Sequence, residues 1–233
     1  MKLVSGILVV LGVIFLAGCE RSEDIVKEVA PPAATGTRVA GFDGIGLAIV
    51  LDISGSMDEK VADGRKIDIA KAAAIKIAGQ AEKFAKERGV KVGLTAYVFN
   101  TEARKILPVG EPSEERLSAA LVGVTPDGGT AIGEAVMAAA REMNQVGFSS
   151  MHILLITDGE SNAGAHTPEA VAAAFATMPE AQRPKVYVVA FDTSAAKFGA
   201  LKRSGWMVVS ASDGKELANT LDEVVGGNIL LEK

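Results

Sequence analysis

From about residue 41 to residue 229, stretches in which almost every residue is apolar alternate with stretches in which apolar residues recur every three or four positions. Ile45 to Leu51 and "MHILLIT" (151 to 157) are runs of the first kind, and read as strands buried on both faces. "VKVGLTAYVF" (90 to 99), "KVYVVAF" (185 to 191) and "WMVVS" (206 to 210) read as further strands. Between them lie helical patterns. Asp63 is placed to cap a helix running to about Arg88, with Ile67, Ala70, Ala74, Ile77, Ala81 and Phe84 on one face and Gly89 as its stop. Ser113 precedes a short helix whose Glu114 and Glu115 suit its amino end. Thr130 opens a helix that Gly147 ends, and Thr167-Pro168-Glu169 starts another that runs to about Met178. Residues 195 to 203 form a short helix, and Asp213 with Glu216 begins a last one to about Val225. Strands alternating with helices predict an α/β domain, a doubly wound, mainly parallel central sheet flanked by helices in the Rossmann-like manner.

The first 18 of the 233 residues do not fit this pattern. Lys2 precedes an apolar stretch, Leu3 to Leu16, that is short for a membrane span and reads as a signal peptide. It ends in Leu16-Ala17-Gly18-Cys19, and Cys19 is the sole cysteine, so an internal disulfide is excluded. This ending resembles a bacterial lipoprotein signal, which implies cleavage before Cys19 and lipid attachment to its sulfur. Residues 19–40 carry Pro31-Pro32 and Thr35-Gly36-Thr37 without a long apolar period, and read as the lipidated start and a tether. From residue 20 to 40 a fully stretched tether reaches roughly 70 Å, at about 3.3 Å per residue. The remaining 41–229 suffices for one well-cored domain.

Charge narrows the partners. The formal net charge of −5 becomes −6 when Lys2 leaves with the signal. Nucleic acid demands a basic face, so no nucleic-acid partner is expected. Membrane attachment through lipid on Cys19 needs no basic patch.

Candidate chemistry sits where strands end. "IVLDISGSMDEK" (49 to 60) breaks an apolar run with Asp52 and then places hydroxyls at Ser54 and Ser56. "PDGGT" (126 to 130) delivers Thr130 at a helix start, and "TDGES" (157 to 161) places Asp158 just after the second buried strand. Ligands of such sheets bind at the carboxyl ends of the strands. These five side chains offer only oxygen, the donor type that hard cations such as Mg2+ prefer. Asp127 and Glu160 flank the same loops and would either raise the local cation concentration or simply face solvent.

Asp-x-Ser-Gly-Ser, then Gly-Gly-Thr, then Thr-Asp-Gly, in this order and at strand ends, resembles the von Willebrand factor type A family over about residues 45 to 225. The resemblance implies a metal-ion-dependent adhesion site. In it Ser54 and Ser56 bind the metal directly, and Asp52, Thr130 and Asp158 bind it directly or through water. Mg2+ is the implied ion, with Mn2+ or Ca2+ as substitutes.

Rival readings are weaker. Hydroxyls at strand-to-helix turns often only cap the next segment. An EF-hand loop needs glycine where Met57 stands, and needs a helix where Ile45 to Leu51 reads as a strand. No Gly-x-Ser-x-Gly or Gly-x-x-x-x-Gly-Lys occurs. A phosphotransferase with an Asp nucleophile needs a second acid at the position of Ser54. His152, Trp206 and Tyr97 fall in strand patterns and read as structural, and His166 as a loop residue.

The sequence therefore describes a membrane-anchored lipoprotein, not an enzyme, that binds a protein partner through a divalent cation, the partner supplying an Asp or Glu carboxylate. It belongs in the bacterial cell envelope, and Glu20 beside the lipid site favours the outer membrane by the habit of such lipoproteins. The alternatives are a metal-dependent hydrolase of phosphorylated or other anionic substrates, and a structural subunit of an envelope complex.

Overall fold

The computed structural model describes residues 42–231. The signal peptide, Cys19 and the tether lie outside the described residues. A six-stranded sheet forms the centre. Its strands are β1 (Phe42–Asp52), β4 (Val92–Phe99), β5 (Ala103–Gly110), β6 (Phe148–Thr157), β7 (Lys185–Phe191) and β8 (Met207–Ala211), in the order β5-β4-β1-β6-β7-β8. All neighbours are parallel except β4 and β5. The expected mainly parallel α/β architecture is what the chain adopts.

Side chains of alternate strand residues point to opposite faces, and each face has its own core. Leu47, Ile49 and Leu51 of β1 pack with Leu154 and Ile156 of β6 beneath helices α1 (Lys66–Arg88), α2 (Glu114–Ala120) and α6 (Gly214–Glu223). Ala48 and Val50 pack with Ile153 and Leu155 beneath α3 (Ile132–Val146), α4 (Pro168–Ala176) and α5 (Gly199–Arg203). Two strand glycines serve this second face. A Cβ at Gly46 or Gly93 would run into the ring of Phe148, which lies across both. Gly89 and Gly147, with φ of 63° and 79°, end α1 and α3 as expected. Thr167 and Asp213 accept hydrogen bonds from Ala170 N and Glu216 N and so cap α4 and α6. The Glu216 carboxylate reaches Ser212 N rather than completing a box with Asp213.

Three sequence expectations are corrected, and one strand is added. Asp63 does not cap α1. A small hairpin of β2 (Lys60–Val61) and β3 (Gly64–Arg65) delays the helix to Lys66, and the Asp63 carboxylate accepts from Gly214 N instead. Strand β5 was not foreseen. Thr130 precedes α3 by two residues, because its backbone is held by the neighbouring loop rather than by the helix. The final helix is α-helical only to Glu223 and continues as a π turn over Val224–Ile229.

His152 and Trp206 also differ in detail. His152 lies in the interior of β6, where Ser150 Oγ and Tyr187 OH bond its ring nitrogens. Trp206 is buried, but stands just before β8. Among the described residues no helix is long and apolar enough to cross a membrane.

Candidate functional site

Strand order reverses at β1. The chain goes from β1 to β4 on one side, and then places β6, β7 and β8 on the other. In an open α/β sheet this reversal opens a crevice at the carboxyl ends of the strands. Asp52 is the last residue of β1 and Asp158 follows the last residue of β6, so the two strands flanking the crevice each end in an acid.

Beyond Asp52 the chain turns into a short 3-10 helix over Gly55–Asp58, in which Met57 is buried in the core below, as is Ile53 before it. Ser54 and Ser56 lie on the side of Asp52 and Asp158. Asp52 is fully buried; its Oδ1 accepts from Ser54 N at 2.7 Å and its Oδ2 from Thr157 Oγ1 at 2.5 Å. Ser54 Oγ stands 3.3 Å from Ser56 Oγ. Ser56 Oγ donates to Asp158 Oδ1 at 2.7 Å, which joins the β1 loop to the β6 loop.

Thr130 comes in on a third loop bonded to both of the others. Asp127 N donates to the Ile53 carbonyl at 2.8 Å, and Gly55 N donates to the Gly128 carbonyl at 3.1 Å. Thr130 N donates to Asn162 Oδ1 at 2.8 Å, while its carbonyl accepts from Asn162 N and Ser161 Oγ. All five sequence-predicted residues thus lie on three loops fastened to one another. Asp127 and Glu160 are exposed at the rim. His166 is displaced from this cluster and pairs with Glu134 at 3.1 Å.

The electrostatics are uneven. Burial pushes the Asp52 carboxyl up to about 6, against the hydrogen bonds of Thr157 and Ser54, which lower it, and with a further upward push from Asp158. A buried carboxylate whose partners do not offset its desolvation favours a nearby cation. Two acids and three hydroxyls form an oxygen-only set, so these residues fit a hard divalent ion. Among the described residues no group of three or more His, Cys, Asp or Glu is placed to hold a metal, so any ion at this site would depend on the hydroxyls.

Two functional side chains escaped the sequence reading. Thr157 is fully buried and anchors Asp52, although in sequence it looks like the end of a strand. Lys66 is buried at the start of α1. Its Nζ lies 2.7 Å from Glu59, 3.1 Å from Asp158 and 3.0 Å from Asp192. Although burial works against its charge, the hydrogen bonds it donates to these three acids hold Lys66 above the usual lysine range. One signal was available: a lysine at a helix amino end faces the positive pole of the macrodipole and needs compensation.

A cleft of about 380 Å³ opens beside the loop that follows β6, with Ile132, Phe198 and Leu201 among its apolar lining and Glu160, His166 and Lys197 among its polar lining.

Residues 47–160, which include all five side chains, match the family model for the von Willebrand factor type A domain. No curated protein sequence matches the chain. Among solved structures, the PilB minor pilin from Streptococcus sanguinis aligns with a TM-score of 0.65 at 13% identity, over 83% of this chain and 63% of the pilin. This chain therefore spans less than two thirds of that protein. BatB from Bacteroides thetaiotaomicron aligns with a TM-score of 0.61 at 20% identity, over 78% of this chain and 98% of BatB. An aerotolerance-related membrane protein from Bacteroides fragilis aligns with a TM-score of 0.59 at 20% identity, over 78% of this chain and 99% of its own. At these identities the likeness is one of fold.

Proposed function

We propose, for a chain that carries the von Willebrand factor type A fold and matches that family's model over residues 47–160, a protein-binding role mediated by a divalent cation. Asp52, Ser54, Ser56, Thr130 and Asp158 would hold the ion, Mg2+ by preference. The observation that carries this reading is the Ser56–Asp158 hydrogen bond at the reversal of strand order, which brings two strand ends into one oxygen-rich cluster. When bound, the ion supplies a Lewis-acidic position for an anionic group of the partner. The chain itself contributes only about two negative charges to that ion, so a partner Asp or Glu carboxylate is the fitting occupant.

The protein acts at the bacterial cell envelope, attached through lipid on Cys19, with the outer membrane favoured by Glu20. The fold-level likeness to a membrane protein and to a pilin supports an envelope setting. The site's lysine, Lys66, is paired with three carboxylates and so is not available as a base for hydrolysis.

Calorimetric titration of the full chain with MgCl2 and MnCl2 tests the core of the reading. One saturable site is expected, and it is lost in a Ser54→Ala/Ser56→Ala double variant that still melts cooperatively. Equal heats in both proteins would overturn it.

A further inference from the structure

We propose that Lys66 is a built-in counter-cation that weakens and thereby tunes divalent-ion binding, and that Asp192 is the positioning residue that draws Lys66 away from Asp158. The inference rests on the cation-binding reading above. It starts from an oddity of placement. Lys66 is the first residue of α1, where a positive charge opposes the helix dipole, and it is buried. The β2–β3 hairpin returns the chain so that Lys66 N bonds the Glu59 carbonyl at 2.9 Å, which sets the ammonium behind Asp158 rather than in solvent.

The three acids around Lys66 are not equivalent. The Asp158 side chain is buried, whereas those of Glu59 and Asp192 are open to water. Asp192 is also the one non-glycine residue with positive φ among the described residues, at 51°. It directly follows β7 in this left-handed conformation, and its N–H is fixed to the Ala211 carbonyl at 2.7 Å. Aspartate is one of the few side chains that tolerate this conformation, and here its Oδ2 lies 3.0 Å from Lys66 Nζ.

Asp158 is thus contested. Its Oδ1 accepts from Ser56 and its Oδ2 from Lys66. A divalent ion drawing on the same carboxylate would share it with the Lys66 ammonium, and since both side chains are buried the repulsion would be poorly screened. Lys66 therefore lowers affinity for the free ion. It also leaves the bound ion less neutralised, and so more demanding of a partner's carboxylate. Ion and partner then strengthen each other's binding, as reciprocal coupling requires.

Titration of the full chain with MnCl2, followed by calorimetry, tests this with no activity readout. Lys66→Met is expected to tighten Mn2+ binding at least tenfold, while Lys66→Arg, which keeps the charge, stays within about threefold of wild type. Asp192→Asn is expected to weaken binding threefold or more, and to lose most of that effect in the Lys66→Met background, because it acts through Lys66. Cooperative melting of each variant is checked alongside. Should Lys66→Met not fold, the Lys66→Arg and Asp192→Asn results still decide: a tenfold change in the former, or none in the latter, overturns the proposal. Wild-type binding with equal or weaker binding by Lys66→Met refutes the role of Lys66 alone. No Mn2+ uptake by either protein would remove the cation-binding reading, and this inference with it.

Discussion

Ser56 and Asp158, 102 positions apart in the chain, are joined by a 2.7 Å hydrogen bond across the ends of two adjacent parallel strands. The bond couples the conformations of two loops, each held from below by buried neighbours. The cluster above the sheet therefore rests on buried support from both strands.

Asp52 gives the first prediction. Its carboxyl is raised to about 6, so the folded state binds its proton more readily than the unfolded state. Stability from this group is present below the ordinary aspartate value and is lost as pH rises through about 6. At pH 7 the buried charge costs the ion-free protein about 3 kcal/mol, at about 1.4 kcal/mol per pK unit. Asp52→Asn should therefore melt higher than wild type at pH 7.5 without metal, the gap closing towards pH 4, and should lose the rise in melting temperature on adding Mg2+. A lower melting temperature at every pH refutes this.

His152 runs the opposite way. Burial, with a smaller push from Lys185, lowers its pKa to about 4. The unfolded chain therefore binds the proton first, and stability falls as pH drops from about 6.5 to about 4. The loss is about 3 kcal/mol at about 1.4 kcal/mol per pK unit. Denaturant melts of wild type and His152→Gln across that range should show a flatter slope for the variant, whatever its absolute stability.

Packing gives the third. A methyl group at Gly93 collides with the buried Phe148 ring, so Gly93→Ala should cost about 1–3 kcal/mol, as overpacked cores do. Phe148→Leu should recover much of that loss in the double variant. Additive losses would show that the ring is not the obstacle.

Thr130 separates folding from binding. Its backbone, not its hydroxyl, is what fastens its loop to Asn162. Thr130→Ala should leave denaturant stability within about 1 kcal/mol of wild type, while weakening Mn2+ binding and the EDTA-sensitive retention of an envelope partner. Unchanged Mn2+ affinity would remove Thr130 from the ion's coordination.

Anchoring is tested by metabolic labelling with a radioactive fatty acid. Incorporation is expected in wild type and lost in Cys19→Ser, which should also remain unprocessed. A labelled Cys19→Ser protein ends the lipoprotein reading.

Particular residues show how far the sequence could be read. Ile45 to Leu51 and Ile153 to Ile156 are apolar at every position because both faces of the sheet are covered, and such runs are visible in one dimension. Strand β5 is not, because it is an antiparallel edge. Arg104, Lys105 and Pro108 are exposed there, only Leu107 is fully buried, and no alternation survives. The five candidate oxygen side chains are visible because each stands in a loop that follows an apolar run or contains a Gly-Gly turn. Lys66 did not, since its burial depends on Glu59, Asp158 and Asp192, which three separate segments bring together.

Strand β1 enters the described structure at Phe42 and ends at Asp52, so the tether side and the site lie at opposite ends of a single strand about 35 Å long, at about 3.3 Å per residue. That strand is central, zipped in parallel to β4 on one side and β6 on the other. Tension between the amino end of β1 and a partner held through the β6 loop as well would pass from β1 into its neighbours. Its ladder bonds would then be strained together in shear along both flanks, rather than peeled open one at a time. A protein pulled from these two ends resists as a lap joint does, and the edge strands β5 and β8 stay outside the line of force.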